Sequence, residues 1–143
     1  MTAKKPKTKY KTAMLIDDNE IDNFINQKMI ESTNFAERIY VNTNGKSALE
    51  FMENLKKNKE LDEDLIPEII FLDLNMPIMD GFQFLQEFEK LGKPITGKPR
   101  IVILTTSINP ADRIFLNKNK YVLKFINKPL TQAFLDKIMN TAA

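Results

Sequence analysis

Hydrophobic positions along the 143-residue chain fall into two alternating kinds of stretch. The first is the short run: "TAMLI" (12–16), "ERIYV" (37–41), "EIIFL" (68–72), "IVIL" (101–104) and "YVLKF" (121–125). Each has the length and aliphatic content of a strand, and the continuously apolar third run predicts a strand covered on both faces. The second kind has the helical period. Ile21, Phe24, Ile25 and Met29 predict a helix from Glu20 that buries this stripe and leaves Asn and Lys on the other face. Ala48, Leu49, Met52 and Leu55 mark a second helix, and Phe84, Leu85, Phe88 and Leu91 a third. A fourth spans "NPADRIFLNKN" (109–119), opened by an Asn cap and a Pro in its first turn. Phe134, Leu135, Ile138 and Met139 give the last, following Leu130. Between them, "NTNG" (42–45) is punctuation, "LKKNKELDEDL" (55–65) a helix end running into a solvated loop, and "LGKPITGKPR" (91–100) a loop rich in Gly and Pro.

Five β-α units in series, without an internal repeat or linker, predict a parallel sheet with helices on both faces. With right-handed crossovers the expected architecture is α/β, a flavodoxin-like doubly wound five-stranded sheet in the order 2-1-3-4-5. One domain is expected over residues 10–143, preceded by a flexible basic tail over 1–9.

Composition narrows the chemistry. Hydrophobic residues make up 43% and charged residues 28%, which suits a folded globular domain, and the net charge of +2 gives nucleic acid no reason to bind. The positive excess sits at the start, in Lys4, Lys5, Lys7, Lys9 and Lys11, read as a solvated tail. No apolar run approaches a bilayer's thickness and no signal-peptide core opens the chain, so no membrane insertion and a cytoplasmic location are expected. Cys and His are both absent. Disulfides, thiolate or imidazole metal sites and His-dependent hydrolytic triads are therefore excluded. Carboxylate, hydroxyl, amine and backbone remain.

Those groups gather at strand ends. The first strand runs into Asp17 and Asp18, the third into Asp73, the fourth into Thr105, and the fifth into Lys128. In a parallel sheet all these ends lie on one edge, beside the point where strand order reverses. Singly, each has an ordinary explanation: Asp18 a helix cap, Asp73 a turn former, Thr105 a strand-end hydroxyl, Lys128 a surface residue. Jointly they describe a crowded acidic site. Three carboxylates raise one another's pKa unless a cation sits among them, and one lysine cannot neutralise three. A hard divalent ion such as Mg2+ can. A carboxylate beside Mg2+ and an ammonium is a competent nucleophile towards phosphorus.

"LIDDNE" (15–20), "FLDLNMPIMDG" (71–81), "ILTTS" (103–107) and "FINKP" (125–129), in that order, resemble the receiver domain of two-component response regulators across roughly residues 10 to 141. The resemblance implies that Asp73 is the phosphoacceptor. It implies that Asp18 and Asp73 bind Mg2+ directly, with the backbone carbonyl of Asn75 as a further ligand and Asp17 acting through water. Lys128 would hold a phosphoryl oxygen, its bond to Pro129 would be cis, and Thr105 would turn its hydroxyl to the phosphoryl group with the ring of Phe125 following. Phe125 stands where Tyr is commoner, so an inward ring makes no hydroxyl hydrogen bond. Thr106 stands where a small Ala or Gly is frequent, adding bulk at the entrance. Asn75 and Ser107 occupy positions that tune phosphate lifetime in relatives.

Since the chain has no His, the resemblance implies a phosphodonor in trans, a histidine kinase or histidine phosphotransfer protein. No residues follow Ala143 to form an output domain, so a stand-alone receiver is expected, acting on a downstream protein or within a phosphorelay. The expected output surface is the fourth helix, fifth strand and last helix, around Arg113, Leu116, Tyr121 and Lys124. Three rival readings are set against this one. A haloacid-dehalogenase-type phosphatase would need a second acid at position 75, which is Asn. A receiver-like interaction module would take no phosphate. A flavodoxin-like cofactor binder would need a phosphate loop after the first strand, which the chain lacks.

Overall fold

The computed structural model describes residues 9–58, 60–106 and 108–141. Five strands, β1 (Tyr10–Ile16), β2 (Ala36–Asn42), β3 (Ile69–Leu72), β4 (Arg100–Thr105) and β5 (Val122–Asn127), form one parallel sheet. Its order is β2-β1-β3-β4-β5, the expected doubly wound arrangement. The helices are α1 (Glu20–Ser32), α2 (Gly45–Lys57), α3 (Gly81–Glu89), a single turn α4 (Lys93–Thr96), α5 (Pro110–Asn117) and α6 (Gln132–Thr141).

Burial follows position in the sheet. The interior strands β3 and β4 are covered along nearly all their length, whereas the edge strands β2 and β5 are only partly covered. Successive side chains alternate between the two faces. Met14, Ile16, Ile70, Leu72, Ile101 and Ile103 pack with Met52 of α2, Phe84 and Phe88 of α3, and Leu116 of α5. Ala13, Leu15, Ile69, Phe71, Val102 and Leu104 pack on the other face with Ile30 of α1 and Leu135 and Ile138 of α6.

Three elements depart from the sequence expectation. Three of the four residues predicted to bury α1 face outward: Ile21 is 71% exposed, Phe24 61% and Ile25 44%, while Met29 packs against the second core cluster. Asn23, Asn26 and Ile30 are the buried residues of this helix. The loop read over 91–100 contains α4, which buries Ile95 and Thr96; Gly92, at φ 87°, turns the chain into it, and Pro94 sits in its first turn. The loop read over 55–65 contains a 3-10 turn at Glu63–Leu65, capped by Asp62, that leads to the buried Ile66. Lys4, Lys5 and Lys7 of the basic stretch lie outside the described residues, as does Ser107. Lys11, counted with that stretch, lies in β1 and pairs with Asp64 at 3.1 Å. Among the described residues no helix is long and apolar enough to cross a membrane.

Candidate functional site

The sheet register brings the site residues level. Ile16 pairs with Leu72, and Leu72 with Ile103, so β1 and β3 release Asp17 and Asp73 at the same height. The ladder continues one step beyond the strands: Asp73 donates its backbone N–H to Ile16 at 3.0 Å, Asp17 to Asn42 at 3.1 Å, and Lys128 to Thr105 at 2.9 Å. The sheet ladder thus fixes the backbones of both acids at the ends of adjacent strands.

Asp17, Asp18 and Asp73 offer carboxylate oxygens that lie within 4.8 Å of one another. Asp17 and Asp73 are buried, whereas Asp18 is exposed. Asp18 is not the helix cap; Asn19 is, accepting from the backbone of Asp22 at 3.0 Å. Asp17 in turn accepts from the backbone N–H of Asn19 at 2.9 Å. Lys128 reaches into the cluster, its Nζ 2.7 Å from Asp17 Oδ2, 3.0 Å from Asp22 Oδ2 and 3.4 Å from Asp73 Oδ2. The peptide bond joining Lys128 to Pro129 is cis.

The electrostatics reflect this crowding. Burial, and then the neighbouring charge of Asp17, push the Asp73 carboxyl from an ordinary 3.8 up to about 6, against the opposing pull of Lys128 and the N–H of Asn75. Burial draws Lys128 downward, but its hydrogen bonds to Asp17 and Asp22 and the charge of Asp73 outweigh it, so the ammonium is held above its usual range. Three carboxylates pair with one ammonium, and Asp18 adds a further carboxylate beside Asp17 and Asp73. An all-oxygen donor set with excess negative charge suits a hard divalent cation, and Mg2+ fits because it needs few protein ligands.

The far side of the pocket is built by the loop after β3. Asn75 donates its backbone N–H to Asp73 Oδ1 at 3.3 Å and its side-chain amide to the Thr105 hydroxyl at 3.4 Å. Gly81 closes the loop, its N–H on the Leu74 carbonyl at 2.9 Å. A Cβ there would stand 2.8 Å from Leu74 Cα and 3.0 Å from the Asp73 carbonyl, so only glycine lets the chain return this close. Asp80 caps α3 through a reciprocal exchange with Gln83. Between Asp73 and Gly81, the fully exposed Ile78 is held at φ 71°, a strained value for a β-branched residue.

The remaining predicted residues divide. Thr105 is buried and Thr106 exposed at the rim. Phe125 is half-buried against the first core cluster, with the Arg113 guanidinium 5.9 Å from its ring centre. Arg113 is exposed, and Lys124 is half-covered beside Val102 of β4. Tyr121 is half-buried edge-on to Phe88 at 5.1 Å. Leu116 cannot belong to an output surface, because it is fully buried; α5 turns Ile114 and Phe115 outward instead, 59% and 55% exposed. Sequence reasoning also passed over Asp22, since its link to Lys128 spans 106 positions. Its signal was an acid one helical turn beyond the acidic pair.

The family model of the response regulator receiver domain matches residues 13–140. Response regulator Rcp1 of Synechocystis sp. is 29% identical over 120 residues, covering 82% of this chain and 78% of that protein. The crystal structure of a two-component response regulator from Cytophaga hutchinsonii superposes with a TM-score of 0.80 at 29% identity, covering 92% of this chain and 96% of the other. The receiver domain of the histidine kinase CKI1 from Arabidopsis thaliana, complexed with Mg2+, shares the fold at a TM-score of 0.78 and 20% identity, covering 96% and 97%. A two-component receiver fold, with acids and a lysine converging at the edge of its sheet, is what sequence match and architecture both describe: the chain belongs to the response regulator receiver domain family.

Proposed function

We propose that this chain is a phosphoacceptor that takes a phosphoryl group onto Asp73 from the histidine of a kinase or phosphotransfer protein. The observation that carries the reading is the convergence of three carboxylates within 4.8 Å, with Lys128 3.4 Å from Asp73. In the transfer, the bond from phosphorus to the donor imidazole breaks, its electron pair staying with nitrogen. A bond forms from phosphorus to a carboxylate oxygen of Asp73. Asp18 and Asp73, with the Asn75 carbonyl and Asp17 through water, would hold Mg2+, which supplies positive charge against the phosphoryl oxygens. Lys128 neutralises a phosphoryl oxygen, and the Thr105 hydroxyl leaves Asn75 for the new acceptor. The ring of Phe125 and the turned-out residues of α5 then register the change, biasing two arrangements of that face.

Donor docking has support of its own. Ile21, Phe24 and Ile25 project from α1, the helix whose Asp22 touches Lys128, so a solvent-facing apolar strip borders the pocket. Position 75 argues against phosphatase turnover: its amide donates to Thr105 and has no proton to exchange as an acid.

With Mg2+ and acetyl phosphate, intact-mass spectrometry is expected to show one added phosphoryl group (~80 Da), absent in Asp73→Asn. No adduct from acetyl phosphate or from a cognate kinase would leave an interaction module that takes no phosphate. Continuous release of phosphate from simple esters would point to the phosphatase.

A further inference from the structure

Lys128 brings one ammonium to the pocket, within ion-pair distance of three carboxylates, and donates a hydrogen bond to Asp22. Asp17 stands at 2.7 Å and Asp22 at 3.0 Å; Asp73, the acid that would be phosphorylated, is the most distant at 3.4 Å. Asp22 does not belong to the group of acids placed to hold a cation. It sits in the first turn of α1, its backbone N–H tied to the capping Asn19 at 3.0 Å, so its carboxylate has a fixed origin. We propose that Asp22 is a positioning residue that holds Lys128 in the resting site and releases it when a phosphoryl group arrives. This inference rests on the phosphoacceptor reading of Asp73.

The choice of which contact yields follows from burial. An incoming phosphoryl oxygen needs an ammonium donor, and the Lys128 ammonium already donates to Asp22 and pairs with Asp17 and Asp73. Asp17 is 4% exposed as a side chain, and leaving it unpaired would strand a charge without water. Asp22 is 34% exposed, so water replaces the ammonium on its carboxylate at little cost. Asp22 is therefore the exchangeable partner. A contact made in the resting site and given up in the phosphorylated one favours the resting site, by the ratio of its strengths in the two states. This gives the chain a built-in restraint on spontaneous phosphorylation.

The experiment compares the full chain with Asp22→Asn, with Mg2+ and acetyl phosphate, following the adduct by intact mass. Glu20→Gln serves as control, because it removes the same charge from an exposed position in the same first turn. Asp22→Asn is expected to raise the phosphorylation rate about fivefold, the equivalent of one modest ion pair, with Glu20→Gln near unity. In the metal-free chain, the Lys128 ammonium resonance, assigned by its loss in Lys128→Met, shifts in Asp22→Asn and not in Glu20→Gln. A rate that is unchanged or lower in Asp22→Asn, an equal gain in Glu20→Gln, or an unmoved ammonium resonance overturns the holding role. Absence of an adduct on the unaltered chain overturns the phosphoacceptor reading itself, a distinct outcome.

Discussion

Helices α1 and α2 are both 13 residues long and flank the same edge of the sheet, yet they are built on opposite plans. α2 buries Gly45, Ala48 and Met52 and keeps its lysines outside, as an amphipathic helix should. α1 buries two asparagines and exposes an isoleucine pair and a phenylalanine. The difference is explained by what lies beneath each helix. Under α2 is the aliphatic face of the sheet. Under the first part of α1 are the backbones of the two loops that carry Asp17 and Lys128, while Ile30 near its end enters the second core cluster. Asn23 donates to the carbonyl of Asp17 at 2.8 Å, and Asn26 accepts the N–H of Leu130, two residues past Lys128, at 3.1 Å. One helix serves the core alone; the other also clamps the site and leaves Ile21, Phe24 and Ile25 exposed.

The sharpest way to break this contrast is to cut one anchor in each helix. Met52→Ala removes a fully buried side chain from the first core cluster and is expected to cost about 2–5 kcal/mol of unfolding free energy. Its phosphorylation rate, measured below the melting transition, should stay near that of the unaltered chain. Asn26→Ala is expected to cost less, about 1–3 kcal/mol, because it leaves one buried N–H without its acceptor. Yet it should slow phosphorylation by several-fold, since the segment bearing Lys128 loses its tether. Urea denaturation with parallel acetyl phosphate assays checks both. Equal rate losses in the two variants would show that α1 has no privileged hold on the site.

This contrast also shows where the sequence was legible. Strand order and core were readable because β3 and β4 announce themselves by unbroken aliphatic runs, and because Asp73 and Thr105 follow directly upon them. The convergence of Asp17, Asp18, Asp73 and Lys128 was readable for the same reason: strand ends converge by topology alone. The orientation of α1 was not. Helical periodicity assigns the apolar stripe to the inside, and here loop carbonyls and amides reward Asn23 and Asn26 more than the core would reward Ile21 and Phe24. Leu116 was misplaced by one position of the same kind of reasoning, since α5 buries it and turns Phe115 outward. The Asp22–Lys128 pair and the return of Gly81 onto Leu74 depend on contacts across the fold, which no local pattern records.

Charge in the clamp gives the next effect in size. The Asp73 carboxyl titrates near 6 when folded, above the ordinary 3.8, so between those values the folded chain keeps a proton that the unfolded chain has lost. Stability from that proton is complete below about pH 4 and disappears as pH rises through about 6. Asp73→Asn removes the titration, and at neutral pH it should be more stable than the unaltered chain by about 1–2 kcal/mol, allowing for solvent screening. At pH 4 the two should melt together. Mg2+ should narrow the gap at neutral pH, and chelation should restore it. Melting curves at the two pH values, with Mg2+ and with chelator, check this. A neutral-pH difference of the opposite sign would mean that Lys128 over-compensates the acids.

The smallest expected change in stability bears most on the partner. Phe24→Ser alters a side chain that is 61% exposed, accompanied by the Lys28 ammonium at 5.5 Å from its ring. Removing it should move the unfolding free energy by no more than about 0.5 kcal/mol, because the ring buries little on folding. Transfer from acetyl phosphate should not change either, since a small donor needs only the pocket. Transfer from a phosphorylated histidine protein should fall by about tenfold if the apolar side of α1 seats that partner, the loss expected for one well-packed interface aromatic. The same substitution at Met52 would do the reverse, damaging the fold and sparing recognition. If protein-donor and small-donor rates fall together in Phe24→Ser, α1 acts on the pocket from within and its exposed side is not where the donor lands.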